Sequence, residues 1–236
     1  MWTLLRIELF KVFRRPRTYI SFLAIAAIVI LIQLAFYSDG EEYVFFMLQS
    51  ISDTFTIEGK ILNGYLICFI ILQTLLVHVP LLIALVGGDM IAGEANMGTL
   101  RLLLTKPISR GSVIASKFLA TCIYTLALLI WMAILSLVVS VLLFGVGDLM
   151  IFKSEEIVIL TSDSVLWRYF AAFAFAALAM ITVASLSLFL SLFADNSIGP
   201  IVATMSFIIL LTILTKTEMM TSNQALPLVL ISSIQH

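Results

Sequence analysis

The sequence has 236 residues, of which 62% are hydrophobic and only 11% charged, with a formal net charge of −1. A soluble domain gives about a quarter of its residues to charge, and here the apolar residues lie in uninterrupted runs, as in a chain whose solvent is lipid. A water-soluble helix bundle is excluded because the runs carry no polar face, and no nucleic-acid partner is expected.

Residues 2–15 read as an amphipathic helix. At helical spacing Trp2, Leu5, Leu9, Val12 and Phe13 share one face, with Lys11, Arg14 and Arg15 on the other. Tryptophan beside cations suits the headgroup layer of a bilayer. Pro16 breaks this helix and turns the chain into the first span, so residues 1–17 form an elbow. A signal peptide is excluded by the length of the apolar run and the helix before it.

Five runs reach the roughly 20 residues that a membrane helix needs: 18–37, 65–88, 118–147, 169–194 and 197–215. The third is long enough to require tilt or protrusion. Between the first two, EEYVFFMLQSISDTF reads as a short interfacial helix. Between the third and fourth, IFKSEEIVILTSDSVLW is too polar to span. The last two runs are joined by a tight hairpin, with Asn196 or Ser197 capping and Pro200 in the following first turn. After Thr215 the chain is polar, then apolar again at LPLVLISSIQH, which is too short to cross. No internal repeat is present.

Lysine and arginine set the orientation. Arg6, Lys11, Arg14, Arg15 and Arg17 precede the first span; Arg101, Lys106, Arg110 and Lys117 lie between the second and third. The segments 38–64 and 148–168 are instead rich in acid. The N-terminus and the 89–110 segment are therefore expected in the cytoplasm, in a multi-pass protein of the cell's inner membrane.

Within the spans, His78 and Pro80 stand out. An ionisable residue at membrane depth is a candidate for the transport path; the simpler reading is a hydrogen bond to a carbonyl that Pro80 frees. Ala171, Ala174, Ala177, Ser185, Ser187 and Ser191 suit close helix packing in the fourth span. Cys68 and Cys122 fall inside spans, at no metal-binding or disulfide spacing.

The segment 90–105, taken as a helix, has Glu94, Gly98, Arg101 and Thr105 on one side and Met97, Leu100, Leu103 and Leu104 on the other. Asp89 is placed to cap it. Gly98 and Thr99 leave open whether it is one helix or two, and Pro107 ends it. Such a helix rests on lipid or lies in a groove of another protein; its mixed, small polar face fits the groove as well.

The stretch GDMIAGEANMGTLRLLLTKPISRGSVIASKFLA, 88–120, resembles the cytoplasmic loop of ABC type-2 exporter permeases. It supplies that pattern's acid (Asp89), Glu94, Gly98-Thr99-Leu100, the leucine run Leu102–Leu104, Pro107-Ile108-Ser109-Arg110 and Lys117. The elbow and the order of spans agree. The resemblance implies an all-α membrane protein, one permease domain over 1–236, with 89–110 as a coupling helix seated in an ATPase subunit. Asp89, Glu94, Gly98, Thr99, Leu100, Arg101, Leu103, Leu104, Pro107, Ser109 and Arg110 are then the coupling residues. Two permease chains, identical or related, would enclose the path, and a dimer of cytoplasmic ATPase subunits would power it. The family has six spans; either a sixth helix is approached at LPLVLISSIQH, or this is a five-span variant.

No enzyme activity is expected. A phosphate-binding loop needs G-x4-G-K-[ST], and the segments from Gly93 and from Gly111 each miss part of it. The two histidines, His78 and His236, form no H-E-x-x-H motif. ATP and magnesium would be held by the partner, with no cofactor in this chain. The alternative function is a channel or structural membrane scaffold without an ATPase. The substrate is not legible.

Overall fold

The computed structural model describes residues 1–48, 61–99, 109–152 and 157–215. Helix α1, Trp2–Arg14, packs beside the start of α2, Pro16–Leu48. Pro16 opens α2 at the position where a missing N–H costs nothing. Helix α3, Gly64–Asn96, is capped by Asn63, whose side chain accepts the Leu66 N–H at 2.9 Å. Span three is composite: α4, Arg110–Ala133, a π-helical segment, Ile134–Val139, and α5, Ser140–Phe144. Helix α6 is Ser162–Ser191, and α7 is Ile198–Thr215. Among the described residues, five helical stretches are long and apolar enough to cross a membrane.

The spans are longer than their charge-free runs. Span two continues past Gly88 to Asn96, because Asp89 and Glu94 are neutralised inside the protein and nothing breaks the helix before Gly98. Span three begins at Arg110 rather than Phe118, with Ser109 accepting the Ser112 N–H as its cap. Span four begins seven residues before its expected start, at Ser162. Residues 41–48 continue α2; the rest of the expected interfacial helix lies outside the described residues.

The all-α expectation needs one amendment. The runs LMIF and IVIL pair as an antiparallel hairpin, β1 Leu149–Phe152 and β2 Ile157–Leu160, with Leu149 opposite Leu160. Short apolar runs rich in branched residues on either side of a polar tip carry this signal. Asp148 ties the hairpin down: its carboxylate accepts the Ser162 N–H at 2.9 Å, and its carbonyl accepts from Asn63 Nδ2 at 2.7 Å.

Span two is the central rod. Ile67, Ile71, Leu75, Val79 and Ile83 recur every fourth residue and are all buried, one stripe of a helix surface. They pack against Ile25 and Val29 of α2 and Ala120, Tyr124 and Leu128 of α4 in one apolar cluster. Against α6 the contact is closer: a methyl group on Gly87 would lie 3.2 Å from Ser187 Cβ. Two hydroxyls stitch this seam. Ser187 donates to Ala84 O at 2.9 Å and Ser191 to Gly88 O at 2.7 Å.

Candidate functional site: a buried ionic joint

Where α1, α3, α4 and the α6–α7 turn meet, the chain buries charge. Glu8 is 2% exposed, Glu94 3%, Lys117 1% and Asp89 7%. A charge this far from water survives only when paired and hydrogen-bonded. Two lysines and two glutamates close a square. Lys117 Nζ donates to Glu8 Oε2 at 3.0 Å and Glu94 Oε2 at 2.7 Å; Lys11 Nζ donates to the remaining oxygens, Glu8 Oε1 and Glu94 Oε1, both at 3.0 Å. The third Lys117 donor reaches Met90 O at 2.9 Å. All three ammonium protons are thus used.

Arginine extends the square. Arg15 Nη1 donates to Asp89 Oδ2 at 2.7 Å, and its Nη2 lies 3.8 Å from Glu94 Oε1. Asp89 Oδ1 accepts from Arg17 and from Ser197 Oγ. A methyl group on Gly93 would sit 2.3 Å from Asp89 Oδ1, so this glycine makes room for the carboxylate. Lys11, at the rim, feels burial that lowers its pKa, yet the hydrogen bonds it donates to Glu8 and Glu94, with their negative charges, outweigh this and raise it.

Local sequence explains the convergence. Glu8, Lys11 and Arg15 recur at helical spacing and face inward beside Leu5 and Val12. This alters the expected faces of α1: Lys11 and Arg15 turn into the protein, whereas Trp2 is 72% exposed and Arg14 lies over the Phe10 ring at 5.4 Å. Among the described residues no group of three metal-binding side chains is present. Removing one partner from a buried pair costs about 3–5 kcal/mol, so the square ties α1, α3 and α4 to one another.

Ser191 adds a second grip on α3. Its hydroxyl accepts the N–H of Ala92 at 2.8 Å while donating to Gly88 O, entering the helix ladder between these two residues. A side chain inserted in this way is an identifiable cause of helix bending.

The expected coupling residues divide three ways. Asp89 and Glu94 are inside the joint; Asp89 lies within α3 and caps nothing. Gly98 and Thr99 are exposed at the end of α3, where Gly98 takes φ +72° and Thr99 Oγ1 donates to Glu94 O at 3.2 Å. A left-handed glycine just beyond a helix is a standard stop, so 90–105 is not one continuous helix. Ser109 and Arg110 are exposed at the start of α4. Leu100, Arg101, Leu103, Leu104 and Pro107 lie outside the described residues. At the hairpin after α6, Asn196 accepts the Gly199 N–H at 3.0 Å, whereas Ser197 is diverted to Asp89.

His78 is remote from the joint and exposed. Its Nδ1 lies 2.9 Å from Thr74 O, four residues back, and not at the Leu76 carbonyl that Pro80 leaves without its helix donor. Glu8, Lys11, Arg15 and Ser197 are not among the site residues that the sequence suggests, and Lys117 enters there as a cation and as the last position of the family pattern. A lone acid within the basic α1 segment was the available signal.

Comparison with known proteins agrees on the kind of chain. The sequence model of the family described as "ABC-2 family transporter protein" matches residues 2–229. A stretch of 97 residues, 41% of this chain, is 37% identical to the "Probable ABC transporter permease protein NosY" of Stutzerimonas stutzeri, covering 35% of that protein. Another of 63 residues, 27% of this chain, is 32% identical to the "Uncharacterized protein YhcI" of Bacillus subtilis (strain 168), covering 20% of it. The chain therefore matches about a third or less of either relative's length.

Proposed function

The chain belongs to the ABC-2 family of transporter proteins, and from that premise we propose that this multi-pass permease receives force from a separate cytoplasmic ATPase and exports its substrate. The observation that carries the reading is the ionic joint. The segment 97–109 connects α3 and α4 in sequence, and the adjoining ends of these helices are clamped by Glu94–Lys117 and, through Glu8, to α1. A load applied to that segment reaches span two, span three and the N-terminal helix together.

In this reading Leu100, Leu103 and Leu104 seat in a groove of the ATPase, with Arg101 and Arg110 supplying charge. Glu94 and Asp89 spend their charges within the permease, so they stiffen the coupling segment instead of docking it. Helix α1 lies in the cytoplasmic headgroup layer, where exposed Trp2 and Arg14 are at home. A second permease chain faces the exposed Gln73, Thr74 and His78 of span two. Polar groups at membrane depth usually face another helix or a water-filled path.

The test is isolation of the tagged protein from its native membrane in mild detergent. A co-purifying subunit that hydrolyses ATP is expected. Leu100→Asp/Leu103→Asp/Leu104→Asp should abolish its association while membrane insertion stays intact. Absence of any nucleotide-hydrolysing companion, or unchanged association and ATP turnover in the triple variant, would overturn the proposal.

A further inference from the structure

Span three is fixed at both ends and unusual in between. At the joint end, Lys117 anchors α4. At the hairpin end, the Gly64 N–H donates to Gly145 O at 2.9 Å, and a methyl group on Gly64 would lie 2.5 Å from Val141 Cα. The backbones of spans two and three therefore touch there. Between these anchors lies the π-helical segment Ile134–Val139. Such a turn hydrogen-bonds i to i+5, winding extra chain into the helix, and it is uncommon except as a local bulge at functional places.

Gln33 of α2 meets this segment. Its side chain is 3% exposed in the middle of an apolar helix. Nε2 donates to Leu135 O at 2.9 Å and to Ser140 Oγ at 3.0 Å. These acceptors are five residues apart. In an α-helix five residues turn through about 500°, leaving the two groups about 140° apart around the axis. In a π-turn, residues i and i+5 lie over one another, and one carboxamide can reach both. The glutamine thus reads the winding state of span three.

We propose that the π-segment is an adjustable register joint within span three, and that Gln33 is the positioning residue that selects its π-wound state. Releasing the extra residue to α-winding turns the hairpin end of span three by about 100° relative to its joint end. A displacement imposed at the ionic joint is then absorbed at 134–139, or is passed to the hairpin end, where the Gly64–Gly145 contact must give way. This use in transport rests on the permease reading; the two winding states and their control by Gln33 do not.

The experiment is a distance measurement between spin labels at Leu31→Cys and Leu142→Cys, both exposed, in the full chain in lipid nanodiscs with Cys68→Ala and Cys122→Ala. Deletion of Leu137 removes the extra residue, so that α-winding there keeps the register that the π-turn gives the intact span. A label on a helix about 11 Å across moves by up to about 8 Å when the helix turns through 100°. The otherwise unaltered labelled chain should give one distance, Gln33→Leu a mixture of that distance and a second, and the Leu137 deletion the first distance alone, with or without Gln33→Leu. Ser140→Ala, which removes one acceptor and no bulk, should shift the population in the same direction. A control pair, Leu31→Cys with Ile123→Cys on the joint side of the π-segment, should stay fixed. The unaltered distance alone in both Gln33→Leu and Ser140→Ala overturns the proposal, as does a second distance in the Leu137 deletion carrying Gln33→Leu. Neither nucleotide nor ATPase is needed, so failure here leaves the coupling proposal standing, and a missing ATPase leaves this result standing.

Discussion

Lys117 has the most consequential side chain in the joint, because three hydrogen bonds replace all of its hydration. Lys117→Met keeps much of the stem's volume but leaves Glu8 and Glu94 buried with one cation fewer between them. A loss of about 3–5 kcal/mol is expected, read as a lowered unfolding midpoint in detergent. Adding Glu94→Gln removes one of the stranded charges and should recover part of the loss, since residues in one network are not additive. Equal losses in the single and double variants would assign the effect to packing alone. The sequence marks Lys117 as a cation near the start of a span and as the last position of the family pattern, without its partners. Which acids meet it depends on the approach of α1 from 109 residues earlier and of α3 from 23 residues earlier, separations that no local pattern encodes.

At the scale of elements, the seam between α3 and α6 depends on small residues and hydroxyls more than on apolar bulk. Lipid is as apolar as a leucine side chain, so helices in a bilayer associate through close packing and hydrogen bonds. Ser191→Ala removes both the donor to Gly88 O and the acceptor of the Ala92 N–H. It should cost about 1–3 kcal/mol and raise hydrogen exchange at the Ala92 amide. Ser185→Ala should do neither, because Ser185 bonds only to Thr182 O within its own helix. The sequence grouped Ser185, Ser187 and Ser191 together as packing residues. Two of them reach α3 and one does not, a difference set by the rotation of α6 about its axis. Helix ends show the same limit. Charge-free runs located the spans, but Asp89 and Glu94 could be placed inside a helix only once their partners were visible.

For the whole molecule, the charge asymmetry makes a prediction about sidedness. Arg110 at the joint end and Ile159 on the hairpin are both exposed. In intact cells a membrane-impermeant maleimide should label Ile159→Cys and not Arg110→Cys, and inside-out vesicles should reverse the pattern. Labelling of Arg110→Cys from outside would invert the orientation and remove the proposed docking segment from the reach of a cytoplasmic ATPase.

Apolar run length and the ordered motif around Gly98-Thr99-Leu100 were sufficient, from the sequence alone, to read a membrane protein, the five candidate spans among the described residues and the resemblance to the ABC-2 family. Both are local properties: a bilayer selects runs of a given length, and a motif is contiguous. Tertiary structure decided which charges are internal. Coulomb attraction acts on distance in space, and only the packed helices bring the carboxylates of Glu8 and Glu94 within 3.0 Å of Lys117 Nζ. It also decided that span three winds as a π-helix where Gln33 meets it, because that backbone state is held by a side chain more than a hundred residues away.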